Sequence, residues 1–331
     1  MLPERFRAFR IHADEHFGTG RLEEMDRAEL DAGNVVIRIC YAGVNYKDAL
    51  TAKGLAKLAR KFPVVGGTDL SGIVESSEDS RFRGGDEVLI HSCGLGSDHD
   101  GGFAAFGRFP ADWIFALPRG LTLVEAATLG VAGHSVGVAI ELMERNGLTP
   151  ERGPVLVNGA TGGVGSIAID VLSKLGYRVA ALTGKVGETE YLRALGAAEV
   201  YDRKRLHFGS KPLEEQRWAG AVDSVGGEQL EWLLRTAKRD GIIASVGNAS
   251  GNEFRGNVLP FILRGVRLLG VNVNNPTEAK LRIWQRLASD LKPRHLGRIV
   301  RRIGLDALPQ AFDDLLAARV CGRKVVCFES A

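Results

Sequence analysis

The chain has 331 residues, of which 45% are hydrophobic and 25% charged, and carries a net charge of +3 at neutral pH. These proportions exclude a disordered or fibrous chain and leave length enough for two domains with cores of their own. So small a net charge excludes a whole-molecule field suited to nucleic acid or to a membrane surface.

The opening Met1-Leu-Pro-Glu-Arg-Phe-Arg has no apolar stretch before a small-residue cleavage site, and nowhere do eighteen apolar residues run together, so a cytoplasmic protein without membrane partners is expected. Up to about residue 125 the texture is β. Val35–Cys40, Gly72–Glu75, Asp86–Ile90 and Asp112–Leu117 are short apolar runs separated by Gly, Pro and Asp turns, as in a barrel-like domain. Leu123 to Arg145 then shows apolar residues at helical spacing with many small residues, which predicts a closely packed helix.

The most informative stretch follows. The apolar run Pro154-Val-Leu-Val-Asn158 ends in Gly159-Ala-Thr-Gly-Gly-Val-Gly165 and restarts as the amphipathic Ser166–Leu175. A strand that stops in glycines and reopens as a helix brings backbone N–H groups and a positive helix end up to a pyrophosphate. Thr161, Gly162, Gly163 and Val164 are the expected phosphate contacts. A second β run, Arg178–Thr183, completes a βαβ unit of the kind such a fingerprint requires. Sites for NAD usually carry Asp or Glu at the end of that strand for the ribose hydroxyls. Here stand Thr183, Gly184 and Lys185, with Arg203 after the next short strand. A hydroxyl and two cations suit a 2′-phosphate, so NADPH is expected over NADH; the competing reading makes Lys185 and Arg203 ordinary solvated charges.

Strands at Gly220–Asp223, Gly241–Ser245 and Arg267–Asn272, with helices near Glu228–Ala237 and Pro260–Arg264, continue a parallel sheet. After a further helix, Arg298–Ile303 and Lys324–Phe328 return to the β texture of the start. The expected fold class is thus α/β: a β-rich domain from residues 1–125 and 297–331 with a doubly wound nucleotide domain, 126–296, inserted in it, and an active site in the cleft between them. Cys40, Cys93, Cys321 and Cys327 are scattered without Cys-x-x-Cys spacing and are read as reduced thiols.

Several segments together carry a family resemblance: Asn45-Tyr-Lys-Asp48, Gly66-Gly-Thr-Asp-Leu-Ser-Gly72, Gly84-Gly-Asp-Glu-Val88, Gly101-Gly-Phe-Ala104, the glycine fingerprint and Phe261–Gly270. From about Ile11 to its end the chain resembles the medium-chain dehydrogenase/reductase superfamily. Arg60-Lys-Phe-Pro63, Gln216–Asp223 and Thr183-Gly-Lys185 are similar to its acrylyl-CoA reductase (YhdH-type) and quinone oxidoreductase-like branch. The resemblance implies a GroES-like catalytic domain, a Rossmann domain, NADPH as hydride donor and a homodimer. It also implies reduction of an activated alkene, most specifically acrylyl-CoA to propionyl-CoA, or of a quinone.

In the zinc-dependent relatives a Cys stands near position 45 and Gly-His-Glu near Gly66, whereas this chain has Asn45 and Gly67-Thr-Asp69, so no metal is expected. Polarisation of the acceptor then falls to hydrogen bonds. Tyr46 and Asn45 are the candidate catalytic donors, Asp48 orients either, and Tyr46 or water supplies the proton; Tyr46 also braces the nicotinamide ribose. The competing reading is an Asn-Tyr turn with Asp48 capping the following helix. Gly247, Asn272 and Arg323 complete the expected cofactor set. Lys53, Lys57, Arg60 and Lys61 form a basic run that would meet the phosphates of a CoA thioester, or else is a solvated helix face. A further alternative, from a different class, is a nucleotide-binding structural protein without turnover.

Overall fold

The structure, a computed structural model, describes residues 3 to 328. In chain order it comprises β1 (Arg5–His12), β2 (Thr19–Asp26), β3 (Val35–Gly43), α1 (Tyr46–Ala52), β4 (Val64–Val65), β5 (Asp69–Ser77), β6 (Glu87–His91), β7 (Phe106–Phe109), β8 (Phe115–Ala116) and α2 (Leu123–Arg145). Then come β9 (Val155–Val157), α3 (Gly163–Lys174), β10 (Val179–Thr183), α4 (Thr189–Ala194), β11 (Ala197–Asp202), β12 (Trp218–Asp223), α5 (Gly227–Thr236), β13 (Ala237–Ser245), α6 (Leu259–Arg264) and β14 (Arg267–Gly270). The chain closes with α7 (Thr277–Leu287), α8 (Leu296–Ile299), β15 (Val300–Ile303), α9 (Leu308–Leu316) and β16 (Arg323–Cys327). Two compact units result. One takes the chain up to Val131, Pro276–Leu281 and the chain from Val300 onward; the other takes Ala132–Asn275 and Arg282–Ile299.

In the first unit a seven-stranded sheet runs β15-β16-β3-β5-β6-β8, with β7 also on β3, and a three-stranded sheet runs β2-β1-β4. Strand β3 shows why its residues make a strand: Val35, Ile37 and Ile39 are buried while Val36 and Arg38 between them are not, the two-residue period of a half-buried surface. The return of the chain is anchored by α9, whose Leu308, Ala311 and Phe312 bury one face at helical spacing. Phe312 packs edge-on against Phe9 with ring centroids 5.3 Å apart.

In the second unit six parallel strands lie in the order β11-β10-β9-β12-β13-β14. Relabelled within the unit this is 3-2-1-4-5-6, the doubly wound nucleotide-binding order. Strands β9, β10 and β12 are buried throughout, as expected of a parallel sheet covered on both faces. The strand order reverses between β9 and β12, so their C-terminal ends are the place where such a sheet takes its ligand.

Three sequence expectations are corrected in detail. Asp112–Leu117 is not one strand but a single 3-10 turn, Ala111–Trp113, followed by the two-residue β8. Arg298–Ile303 begins in helix α8 and becomes strand only at Val300, because Leu296 and Ile299 are buried at helical spacing. The long helix α2 is interrupted at Gly130, whose φ of 45° and ψ of −144° lie outside the helix.

Candidate active site

In the second unit the glycine turn has the geometry its sequence implies. Asn158 closes β9, Gly159 turns at φ +54°, and Gly162 is the N-cap of α3. A Cβ on Gly165 would lie 2.4 Å from the Gly159 carbonyl oxygen and 2.7 Å from Ala160 Cα. Glycine is therefore what lets the first turn of α3 close against the loop, and the N–H groups of a first helical turn, which have no acceptor within the helix, are where an anion fits. Thr161, buried at the bend, accepts a hydrogen bond on Oγ1 from Lys185 Nζ at 3.2 Å.

Thr183, Gly184 and Lys185 stand at the end of β10, and Arg203 follows β11. Thr183 Oγ1 accepts from the Lys185 amide at 3.0 Å, and the Arg203 amide donates to the Thr183 carbonyl at 2.8 Å. The Arg203 guanidinium lies over Gly184, where a Cβ would sit 3.3 Å from Nη2. Arg203 has no carboxylate partner among the described residues, so its charge is available to a phosphate. Asp202, opposite Thr183 in the ladder, is turned to the Lys204 amide at 2.9 Å and to Arg205 at 3.6 Å. Gly247 follows β13, its amide 3.2 Å from the Asp223 carbonyl, and Asn272 is exposed beyond β14, its Oδ1 accepting from the Asn274 amide at 2.9 Å.

A pair that sequence reading passed over holds the switch point together. Asn158 Nδ2 donates to Asp223 Oδ1 at 2.5 Å, and Asn158 Oδ1 accepts from the Ser224 amide at 2.8 Å. The same Asp223 oxygen also accepts from the Val225 and Gly226 amides at 3.2 and 3.0 Å, so the ends of β9 and β12 are tied by side chains as well as by the sheet. Burial raises the Asp223 carboxyl above its ordinary range while these donors pull it back. The signal available in sequence was a polar residue closing each of two buried apolar strands.

In the first unit Asn45, Tyr46 and Asp48 sit together at the start of α1, but they are not equivalent. The Asn45 side chain is committed at both ends: Nδ2 donates to Thr68 Oγ1 at 3.0 Å and to Asp69 Oδ2 at 2.8 Å, and Oδ1 accepts from Arg323 Nη1 at 2.6 Å. Asp48 accepts from the Asn45 amide at 2.8 Å, closing the helix start. Only the Tyr46 side chain, half-buried, has no hydrogen-bond partner among the described residues, leaving its hydroxyl to a ligand.

Asp69 is the hub of this arrangement. It is 1% exposed and accepts from the amides of Gly43 and Val131 at 2.7 and 2.9 Å, from Asn45, and from Arg323 at 3.4 Å. The break in α2 is part of it. A Cβ on Gly130 would meet Asp69 Oδ2 at 2.4 Å, and interrupting the helix there frees the Val131 amide to face the carboxylate. Arg323 is likewise 3% exposed, and its other donors go to the carbonyls of Thr128 and Val44, both at 3.1 Å. The guanidinium expected to reach the cofactor is thus occupied within its own unit.

Asp48 is buried, at 5% exposure. Burial first, and then the Asp69 carboxylate, push its carboxyl from 3.8 up to about 7, against the pull of the Asn45 amide and the Thr68 hydroxyl. Folded Asp48 keeps its proton where the unfolded chain has lost it. Its stabilisation is complete below 3.8 and disappears as pH rises through about 7. Asp48→Asn stays neutral at every pH, so its urea midpoint should change less between about pH 5 and about pH 8 than the parent's. An equal decline in both proteins would refute this assignment.

The basic run is not a helix face, since α1 ends at Ala52 and residues 53–62 form turns. Three of its four cations are paired: Lys53 with Asp313 at 2.6 Å, Lys61 with Asp31 at 2.5 Å, and Arg60 with Asp98. Lys57 is exposed and has no such partner among the described residues. Nor do any three His, Cys, Asp or Glu side chains among the described residues gather as a metal site would need. Where the zinc-dependent relatives carry their ligands, Asn45 Nδ2 here donates to Asp69 Oδ2.

A doubly wound unit with a phosphate-binding turn, joined in one chain to a β-rich unit built around Asn45, Asp69 and Arg323, defines a nicotinamide-nucleotide dehydrogenase or reductase. Two family models match: the alcohol dehydrogenase GroES-like domain over residues 31–119 and the zinc-binding dehydrogenase domain over 163–289. The putative quinone oxidoreductase YhfP of Bacillus subtilis is 44% identical over 90% of this chain and 91% of its own. Its crystal structure with NAD bound superposes with a TM-score of 0.93, covering 98% of this chain and all of that one at 41% identity. The acrylyl-CoA reductase AcuI of Ruegeria pomeroyi is 40% identical over 97% of this chain and 98% of its own. The crystal structure of Escherichia coli K-12 YhdH with bound NADPH also gives a TM-score of 0.93, covering 97% of this chain and all of that one at 37% identity. The chain belongs to the medium-chain dehydrogenase/reductase superfamily, in the branch that holds the acrylyl-CoA reductases and YhfP.

Proposed function

We propose that the protein is an NADPH-dependent reductase of an activated carbon–carbon double bond, with acrylyl-CoA, reduced to propionyl-CoA, as its acceptor. The observation that carries the reading is end-to-end similarity to an acrylyl-CoA reductase in a chain whose Asn45–Asp48 turn leaves one phenol, Tyr46, uncommitted. Bound NADPH supplies the hydride. The turn at Thr161–Val164 takes the pyrophosphate at the head of α3, and Lys185 and Arg203 take the 2′-phosphate. Hydride addition at the β-carbon of an enoyl thioester leaves an enolate, which needs a donor at its oxygen and a proton at its α-carbon. In this reading Tyr46 is the donor. Asn45 and Asp48 hold the start of α1 rigid through Thr68, Asp69 and Arg323, which makes them positioning residues in this reading.

The test compares NADPH oxidation with acrylyl-CoA, crotonyl-CoA and a benzoquinone in one buffer. The expected result is a kcat/KM for acrylyl-CoA at least about 100-fold above that for the quinone, a difference of about 3 kcal/mol between transition states. Tyr46→Phe should lower kcat for the thioester by about 100-fold, in the range of a lost general acid; an unchanged kcat gives the proton to water. Quinone reduction is the second reading, favoured by the pairing of Lys53, Arg60 and Lys61 with carboxylates and by likeness to YhfP. Quinone turnover without thioester turnover would establish it. Nucleotide binding with no turnover of any acceptor would point instead to a structural role. The protein is further proposed to be cytoplasmic and a homodimer, and light scattering giving the mass of one chain would reject the dimer.

A further inference from the structure

Beyond the nucleotide and acceptor sites, one thiol stands apart from the other three. Cys93 lies in the loop after β6, partly exposed, and both it and Ser92 hold left-handed backbone with φ of 52° and 62°. The loop is pinned by the Ser92 amide, which donates to the Thr68 carbonyl at 2.9 Å, and by the Leu95 amide, which donates to the Ser92 carbonyl at 2.9 Å. Facing the sulfur is Lys280 of α7, 7% exposed, with Nζ 3.4 Å from Cys93 Sγ. No carboxylate among the described residues lies within ion-pair distance of Lys280. An ammonium withdrawn from water needs an anion or strong acceptors, and the group presented to this one is a thiol whose anion is the reactive form.

We propose that Cys93 is a covalent modification site for soft α,β-unsaturated electrophiles, with Lys280 as the cation that supports the attacking sulfur. The step balances within the two reactants. The thiol proton leaves to solvent and the sulfur lone pair forms a bond to the β-carbon. The alkene π pair moves onto the carbonyl as an enolate, and the α-carbon takes one proton from water or from Lys280, which solvent then reprotonates. The thiol has added across the double bond, with no external oxidant or reductant. Lys280 Nζ faces the attacking sulfur at 3.4 Å. At Cys40 and Cys327, by contrast, burial pushes the thiol upward. The inference does not depend on which acceptor the enzyme reduces.

The experiment treats the full-length protein with acrylamide, an activated alkene with no nucleotide portion, and follows each of the four cysteines by peptide mass spectrometry. Cys93 should be alkylated at least about 10-fold faster than Cys40, Cys321 or Cys327. Lys280→Met should slow Cys93 by about 10-fold and leave the other three unchanged, whereas Lys280→Arg, which keeps a cation, should retain most of the parent rate. A Cys93 rate no greater than that of its fellows would overturn the proposal. So would equal rates in the parent and Lys280→Met. If Lys280→Met proves unfolded by circular dichroism, the comparison rests on Lys280→Arg and on the ranking within the parent protein, and either can still refute the idea.

Discussion

Replacing Lys185 and Arg203 together by alanine is expected to raise the KM for NADPH by about 100-fold while changing the KM for NADH by less than about 3-fold. A hydrogen bond to a charged group contributes about 1.5 kcal/mol at the lower end of its range, and each 1.4 kcal/mol is about tenfold. Two cations at the solvent-facing end of β10 therefore account for about two decades. The surroundings of Thr183 set this preference. Its hydroxyl is taken by the Lys185 amide, the Arg203 guanidinium lies over Gly184, and Asp202, opposite Thr183 in the ladder, is turned to Lys204 and Arg205. Thr183 and Asp202 are thus engaged by neighbouring donors, and the Arg203 guanidinium has no carboxylate partner among the described residues. The relatives make this a real choice, since YhdH is known with NADPH and YhfP with NAD. Equal losses with both cofactors would mean that the cations serve the shared part of the nucleotide, and the NADPH preference would fall.

The parts of the molecule that were legible in the sequence are those where one physical requirement dominates. A pyrophosphate turn needs glycines at fixed places, so Gly159 to Gly165 announced β9, α3 and the parallel sheet together. The Asn45–Asp48 turn was legible as a cluster, but the division of labour within it was not. Asn45 and Asp48 are spent on Thr68, Asp69 and Arg323, and Arg323 lies far along the chain. The β1–β2 hairpin was missed for a similar reason. Its strands carry Arg5, Arg7, Arg10, Glu23 and Glu24, which read as solvent-facing. Yet Arg10 is 8% exposed, neutralised by Glu23 and Glu29 at 3.4 and 2.9 Å. Charge pairing across a sheet leaves no local periodicity to read. The basic run at Lys53–Lys61 shows the converse: a local pattern suggesting a phosphate site, whose partners Asp313, Asp98 and Asp31 come from elsewhere.

Arg323→Met is the substitution expected to cost the most stability. Removing one partner from a buried ion pair typically costs about 3–5 kcal/mol, because the remaining charge stays enclosed without compensation. Asp69 at 1% exposure would keep the amides of Gly43 and Val131 but lose the one cation paired with it among the described residues, while the carbonyls of Val44 and Thr128 and Asn45 Oδ1 would lose their Arg323 donor. Each unsatisfied buried acceptor adds its own penalty. Lysine is a poor substitute, because one ammonium cannot reproduce a planar fork serving several acceptors at once, so Arg323→Lys should recover only part of the loss. Urea unfolding followed by intrinsic fluorescence measures the change. The same variant separates two roles for Arg323. If it acts within the Asn45–Asp69 network, stability falls while the affinity for NADPH, measured on the folded protein, stays within about 3-fold of the parent. If it grips the nucleotide, the affinity falls by about tenfold or more, as expected for a lost charged contact. A variant as stable as the parent would show that Asp69 is adequately held by backbone amides alone, and the ion pair would no longer explain why α2 breaks at Gly130.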